Sequence, residues 1–164
     1  MIKYAFYKTE FGYFKIGYTD IAITYLKCVI NIDDKDIHSA ISDLAFAQIR
    51  EYLDGKRKFF DFPYELHGTE FQKKSWKALC NIPYGETRSY KEIATAIGNP
   101  KASRAVGMAN HDNPIWIVVP CHRVIATNGK LTGYAGGLDM KEALLKLEWK
   151  HSKGKPRGQE PRLL

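Results

Sequence analysis

The chain reads as an α+β protein: a small N-terminal antiparallel β-sheet with one helix, followed by a mainly helical C-terminal domain. Three observations predict this. The first 30 residues carry runs of β-branched and aromatic side chains broken by short turn-like steps. Beyond residue 65, cap residues recur at helix-start spacing. At 164 residues and 45% hydrophobic content, the chain is long enough for a buried core in one or two domains.

Strands are expected at Ile2–Tyr7, Tyr13–Tyr18 and Ile21–Ile30, separated by turns at Thr9–Gly12 and Thr19-Asp20. Asp36 is read as the cap of a helix over Ile37–Leu53, whose apolar residues Ile37, Ile41, Leu44, Ile49, Tyr52 and Leu53 keep to one side. Gly55 stops it, and KRKFFDFPYELHG follows as a connector. The boundaries expected are 1–64 for the first domain with its connector, 65–150 for the second, and 151–164 for a polar tail whose composition predicts disorder.

In the second domain, Thr69-Glu70-Phe71-Gln72 has capping-box spacing and opens a helix to about Asn81. Pro83-Tyr84-Gly85-Glu86 is a turn. Ser89-Tyr90-Lys91-Glu92 is a second capping box, which puts Tyr90 at the first helical position, and Gly98 suits a left-handed C-cap. Asn99 is then read as a cap and Pro100 as the first residue of a helix running to about Ala109. Two helices meeting at Gly98-Asn99-Pro100 suggest a helix-turn-helix; an internal hairpin packed on small residues is the plainer alternative. The second helix presents Ala102, Ser103, Ala105 and Gly107, and is smooth apart from Arg104. Base-reading helices usually carry Asn, Gln or several Arg. This one suits close backbone approach to a groove better than sequence readout. Ile115–Val119 is expected to be extended and buried, delivering Pro120-Cys121-His122-Arg123 to a surface. Thr132–Gly137 forms a glycine-rich loop that can approach a ligand, and Met140–Trp149 a last helix bearing Glu148.

Charge separates the two halves. Residues 1–64 hold nine Lys+Arg and nine Asp+Glu, whereas residues 65–164 hold sixteen and nine, so the whole net charge of +7 lies in the second half. A polyanionic partner is the natural reading, although basic solvated surface is common. No window is apolar over the length needed to span a bilayer, so no membrane is expected. The N-terminus has charges and aromatics where a secretion signal needs an unbroken apolar run, which points to an intracellular protein.

Pro120-Cys121-His122-Arg123-Val124 carries the chemistry. Cysteines stand only at 28, 80 and 121, with no CxxC pair, no disulfide framework and no zinc spacing, so no metal is expected. A free Cys is often simply a buried small hydrophobe. A thiol flanked by a histidine and an arginine beside a helix-turn-helix instead suggests chemistry performed on DNA. Glu148 remains open on position alone, since it also fits a solvated helix face.

These motifs resemble the O6-alkylguanine-DNA alkyltransferases, also called methylated-DNA–protein-cysteine methyltransferases. The matching pieces are GTEFQKKSWKALCNIPYGETRSYKEIATAIGNPKASRAVG, NPIWIVVPCHRVIATNGKLTGYAGGL and KEALLKLE, which cover Gly68 to Glu148 almost without a gap. The strand-rich start and the connector match more loosely. The resemblance implies a ribonuclease H-like first domain and irreversible transfer of an alkyl group from guanine O6, with O4-alkylthymine an open second substrate, to Cys121. It implies one event per molecule and no cofactor. His122 is the implied base acting through water, and Glu148 its partner. Tyr90 donates to the leaving base and Asn113 braces the active-site turn. Arg104 fills the gap left by the extruded nucleotide. The carbonyls of Cys121 and Val124 and the Tyr134-Ala135 backbone line the base pocket. Ala102, Ser103, Ala105 and Gly107 lie in the minor groove of double-stranded DNA. A monomer in the cytoplasm, nucleoid-associated in a prokaryote, is expected.

Two departures stand out. Trp116 occupies a position where the family often has a smaller residue or Pro, and Ala135 replaces a Ser of some members. Neither the zinc-binding cysteines nor the cysteine-rich regulatory module of some members is matched. Two rival classes are a non-catalytic lesion binder, which would replace Cys121, and a Cys-His hydrolase, which would turn over small esters or peptides.

Overall fold

The computed structural model describes residues 1–131, 134 and 136–152. The described residues form a mixed α/β structure with a small antiparallel sheet and five α-helices. It divides into two compact units: Met1–His67 with Pro114–Trp116, and Gly68–Asn113 with the chain from Ile117 onward.

In the first unit, β1 (Lys3–Thr9), β2 (Gly12–Tyr18) and β3 (Ile23–Val29) form a meander in the order β1-β2-β3. Lys3 pairs with Tyr18 and Thr9 with Gly12 across the first hairpin. Alternation puts Ala5, Phe14, Ile16 and Leu26 into the core with Ala45, Ile49 and Tyr52 of α1 (Ala40–Leu53). Both sheet edges are occupied. On the β1 side, Ile37 N–H donates to Tyr4 O at 2.8 Å, and Phe6 N–H donates to the Asp36 carboxylate at 3.0 Å. On the β3 side, Leu26 N–H donates to Pro114 O at 2.8 Å, and Trp116 N–H to Leu26 O at 2.9 Å. Covered edges cannot template pairing with another chain. Trp116 is buried in this arrangement.

One cap in this unit differs from expectation. Helix α1 starts at Ala40, and its cap is Ser39, which forms a capping box with Ser42. Asp36 lies three residues earlier because its carboxylate is already committed to the β1 edge.

The second unit is built from α2 (Glu70–Cys80), α3 (Tyr90–Ala96), α4 (Ser103–His111) and α5 (Leu138–Lys150). Thr69 with Gln72 and Ser89 with Glu92 form the two expected capping boxes. Gly98 has φ +82°. Helix α4 begins later than expected. Pro100 sits in a turn closed by Ala102 N–H to Asn99 O at 3.0 Å, and Ala102 is the N-cap. The buried Trp76 indole N–H donates to Ala109 O at 2.8 Å, which fastens α2 to α4. Two short strands, β4 (Arg88–Ser89) and β5 (Val124–Ile125), pair in parallel, Arg88 with Val124 and Ser89 with Ile125. That pairing ties the start of α3 to the residues just after Cys121.

The run 115–119 is not one extended segment. Ile115 and Trp116 are bridge residues, and the chain then turns, with Ile117 at φ +73°. A β-branched residue there is a costly conformation, of order 1–3 kcal/mol, held by the surrounding core. Ile117 is 2% exposed, so burial supplies that hold. No helix of the described residues is long and apolar enough to cross a membrane. The tail from residue 153, expected to be disordered, lies outside the described residues.

Candidate active site

Cys121, His122 and Arg123 form a single 3-10 turn after Pro120. Arg123 N–H donates to Pro120 O at 3.0 Å, and Val124 N–H to Cys121 O. The turn was expected to reach a surface, but all three residues are buried. The cause is its environment: α5 and α2 pack on it, and the polar side chains are satisfied inward.

Asn113 is fully buried and donates through Nδ2 to Val119 O at 2.8 Å and to Cys121 Sγ at 3.1 Å. One amide therefore ties the segment before the turn to the thiol. His122 Nε2 lies 2.6 Å from Glu148 Oε2, with both side chains essentially inaccessible. Glu148 is not on a solvated face. Its Oε1 also accepts from Arg123 Nε at 2.7 Å and from Gly85 N–H at 3.1 Å, while Arg123 Nη2 donates to Oε2 at 3.0 Å. The third guanidinium nitrogen, Nη1, donates to Ile82 O at 2.7 Å, and the group lies over the Tyr84 ring at 5.7 Å. Gly85 has φ +82°, and a Cβ there would fall 1.8 Å from Ser152 Oγ, so only glycine fits.

These contacts set the charge states. Burial alone would raise Glu148, but His122 and Arg123 outweigh it and hold the carboxyl well below the usual carboxylate range. Burial holds His122 below its ordinary value although Glu148 pulls the other way. Burial also lowers Lys141 to about 8, against the upward pull of the Cys121 charge. Lys141 Nζ donates to Val124 O at 2.5 Å.

The remaining expected site residues fall into two groups. Tyr90, half-buried, opens α3 beside the β4–β5 pair. Tyr134 is buried, whereas Ala135 lies outside the described residues. On α4, Arg104 and Ala105 are exposed, and Ala102 and Ser103 are half-buried at its start. A Cβ on Gly107 would meet the Tyr90 ring at 3.9 Å, so that position faces α3. The exposed Met108 joins Arg104 and Ala105 and was not expected there. Arg123 and Lys141 were missed as site residues. Only the adjacency of Arg123 to His122 hinted at it, and a lysine in an amphipathic helix gives no such hint.

Residues 70–150 match the family model described as 6-O-methylguanine DNA methyltransferase, DNA binding domain. A methylated-DNA–protein-cysteine methyltransferase of Methanosarcina mazei is 61% identical over 117 residues, covering 71% of this chain and 72% of that protein. This chain belongs to the methylated-DNA–protein-cysteine methyltransferase family. A Methanosarcina barkeri methyltransferase of the same name is 64% identical over 104 residues, covering 63% of this chain and 66% of its own length. The matched stretches thus span about two-thirds of these relatives. The solved Mycobacterium tuberculosis O6-methylguanine methyltransferase is similar over 94% of this chain and 97% of its own, at 41% identity and a TM-score of 0.81. The M. tuberculosis protein solved in complex with DNA is similar over 92% of this chain and 95% of its own, at 44% identity and a TM-score of 0.84. The family's activity is direct-reversal DNA repair by alkyl transfer to a cysteine, and DNA is the partner.

Proposed function

We propose that Cys121 is the acceptor and O6-alkylguanine in duplex DNA the substrate. The observation that carries this reading is the buried chain of groups around one thiol: Asn113 on Sγ, and His122 locked to Glu148 on the same turn. A free thiol is only a few per cent thiolate near neutral pH. His122, through a water, takes the thiol proton, and Glu148 stabilises the resulting imidazolium. The sulfur pair forms the S–C bond as the C–O6 bond breaks. The electrons released go into the guanine ring, which Tyr90 neutralises by donating a proton or hydrogen bond. The thioether has no route back to thiol, so each molecule acts once. No cofactor enters this balance.

A base stacked in a duplex must be extruded before sulfur can reach it. The α3–α4 pair acts as a helix-turn-helix, with α4 in the minor groove and Arg104 filling the vacated stack. The small side chains Ala102, Ser103 and Ala105 support close approach, and Gly107, expected in the groove as well, faces Tyr90 and lets α4 pack closely on α3. The carbonyls of Cys121 and Val124 and the backbone at Tyr134 receive the base, together with Ala135. The Val124 carbonyl also accepts from Lys141. In this reading the second unit, with the chain expected at 65–150, binds DNA and transfers the alkyl group, and the first is ribonuclease H-like. The protein acts as a monomer in the cytoplasm.

The test is intact mass before and after mixing with excess duplex containing O6-methylguanine. One added methyl per chain, mapped to Cys121, is the expected result. Label on Cys28 or Cys80, or more than one repaired base per protein, would refute it.

A further inference from the structure

Glu148 has two oxygens and, among the described contacts, four donors aimed at them: His122 Nε2, Arg123 Nε, Arg123 Nη2 and Gly85 N–H. Three of the four would be enough to hold the carboxylate in place without His122. The guanidinium also spends its third nitrogen on Ile82 O, so its own orientation is fixed from a different segment. A fork clamped at every nitrogen is a poor choice for a residue meant only to fill space, because burying a charged side chain costs several kcal/mol unless it is paired. Fully engaged, it is rigid and cannot leave the carboxylate.

The electrostatic consequence concerns His122. A buried imidazole facing a lone carboxylate would be drawn to the charged form. A proton already held there cannot be taken from the thiol. With the Arg123 charge on the same carboxylate, the Arg–Glu pair is neutral before His122 is counted. The histidine then faces a hydrogen-bond acceptor rather than an uncompensated anion.

The geometry points to Arg123 as a positioning residue for the transfer: its fork fixes both Glu148 oxygens and supplies the balancing charge that lets His122 meet the thiol as a neutral base. This rests on the reading of Cys121 as acceptor and goes beyond it, because the residue touches neither DNA nor sulfur in the scheme above. Among the described residues, the titratable and charged groups facing His122 come from three segments. Helix α5 brings Glu148 and Lys141, the 3-10 turn brings Cys121 and Arg123, and the turn before α3 brings Tyr84, which faces Arg123. Helix α2 turns Ser75, Trp76 and Leu79 inward. Arg123 and Lys141 both oppose protonation of His122, so removing Arg123 moves its titration upward.

The experiment is the pH dependence of the single-turnover methylation rate for the wild type, Arg123→Gln and Arg123→Lys, on the full chain. The rate falls on the acid side as His122 is protonated. In Arg123→Gln this acid limb moves up by about one pH unit, the scale expected of a nearby charge. In Arg123→Lys, which keeps the charge and loses the fork, the limb returns towards the wild-type position while the plateau stays several-fold low. An unmoved limb in Arg123→Gln, or an equal loss at every pH that Arg123→Lys does not relieve, overturns the inference. Should Arg123→Gln fail to fold, the nitrogen shifts of His122 decide in the wild type and Arg123→Lys. A neutral imidazole at pH 7 in both supports the inference, and an imidazolium in either overturns it. A wild type that transfers no methyl would instead refute the assignment of Cys121.

Discussion

Of the carboxylate-held histidines among the described residues, His122 and His38 differ in nearly everything else. In the second unit, His122 and Glu148 have side chains 0% and 1% exposed, 2.6 Å apart. In the first unit, His38 lies 2.8 Å from Asp36 and 3.6 Å from Asp43, but the three side chains are 42%, 38% and 61% exposed. Water screens the exposed cluster, so its ion pairs contribute little. In the buried His122–Glu148 cluster each charge has been removed from water and needs its partner, which makes its protonation states a property of the fold. The pattern of residue types is alike, and burial alone separates a surface tether from machinery that can move a proton.

The sharpest way to separate chemistry from fold at the buried cluster is Cys121→Ser. A hydroxyl is a far weaker nucleophile at neutral pH, so methyl transfer is expected to vanish. The Asn113 amide can still donate to the new oxygen, and the melting temperature and DNA affinity are expected to stay near wild type. Intact mass, thermal melting and a duplex-binding titration check the three. Residual transfer above background would show that another group accepts the alkyl.

Glu148→Gln comes next. It leaves the buried Arg123 without its anion, and breaking a buried pair this way costs about 3–5 kcal/mol. Denaturant unfolding is expected to show a loss of that order, together with a large fall in transfer rate. The same contacts predict an acid limb of stability. Because the folded carboxyl is held well below its unfolded value, its contribution is fully present above the ordinary carboxylate range. It is lost as the pH falls below that range towards the folded value. Glu148→Gln should flatten this part of the stability–pH curve, and an unchanged curve would mean that other carboxylates set it.

An exposed charge can still matter when a ligand covers it, and Arg104 tests that. It is exposed on α4, as solvent-facing as the residues around His38. Arg104→Ala is expected to leave stability within about 0.5 kcal/mol, as for surface substitutions generally. It should slow repair in duplex DNA by at least tenfold while barely changing reaction with the free O6-alkylated base. Parallel rate measurements on both substrates check this. Equal losses would place Arg104 in the pocket or the fold instead of in extrusion.

Which parts were legible in the sequence follows from the range of the interactions. Thr69 with Gln72 and Ser89 with Glu92 are readable because a capping box closes within four residues. Cys121 and His122 are readable as a run. Asp36 was misread because its competitor is β1, 30 residues away, and no local pattern shows that its carboxylate is taken. Pro100 suits a first helical position, yet the turn that Asn99 closes with Ala102 postpones the helix. The clamp of Arg123 on Glu148 spans 25 residues and depends on the turn facing α5. Lys141 looks like one more charge on a helix until packing buries it against Val124 O.

The smallest effect expected is at the exposed histidine itself. The His38 ring lies tilted against Tyr7 at 4.4 Å between centroids, and its Nε2 lies 3.1 Å from Phe6 O and 2.8 Å from Asp36. Tyr7 does not depend on it. Tyr7 also stacks on Phe46 at 4.4 Å, and its hydroxyl donates to Asp43 at 2.6 Å. Burial first, and the Asp43 hydrogen bond second, push that hydroxyl far above its ordinary value, so it remains a donor throughout the working range. Asp36 likewise keeps its bond from Phe6 N–H. Replacing His38 therefore removes two screened contacts, to Asp36 and Asp43, and one tilted ring contact. His38→Ala should cost no more than about 1 kcal/mol, with the loss shrinking in high salt, and should leave the methylation rate and its pH profile unchanged. Denaturant unfolding at two salt concentrations, with the single-turnover rate alongside, measures both. A loss as large as that of Glu148→Gln, or a shifted pH profile, would mean that the exposed cluster is coupled to the buried one, and the contrast drawn from burial would fail.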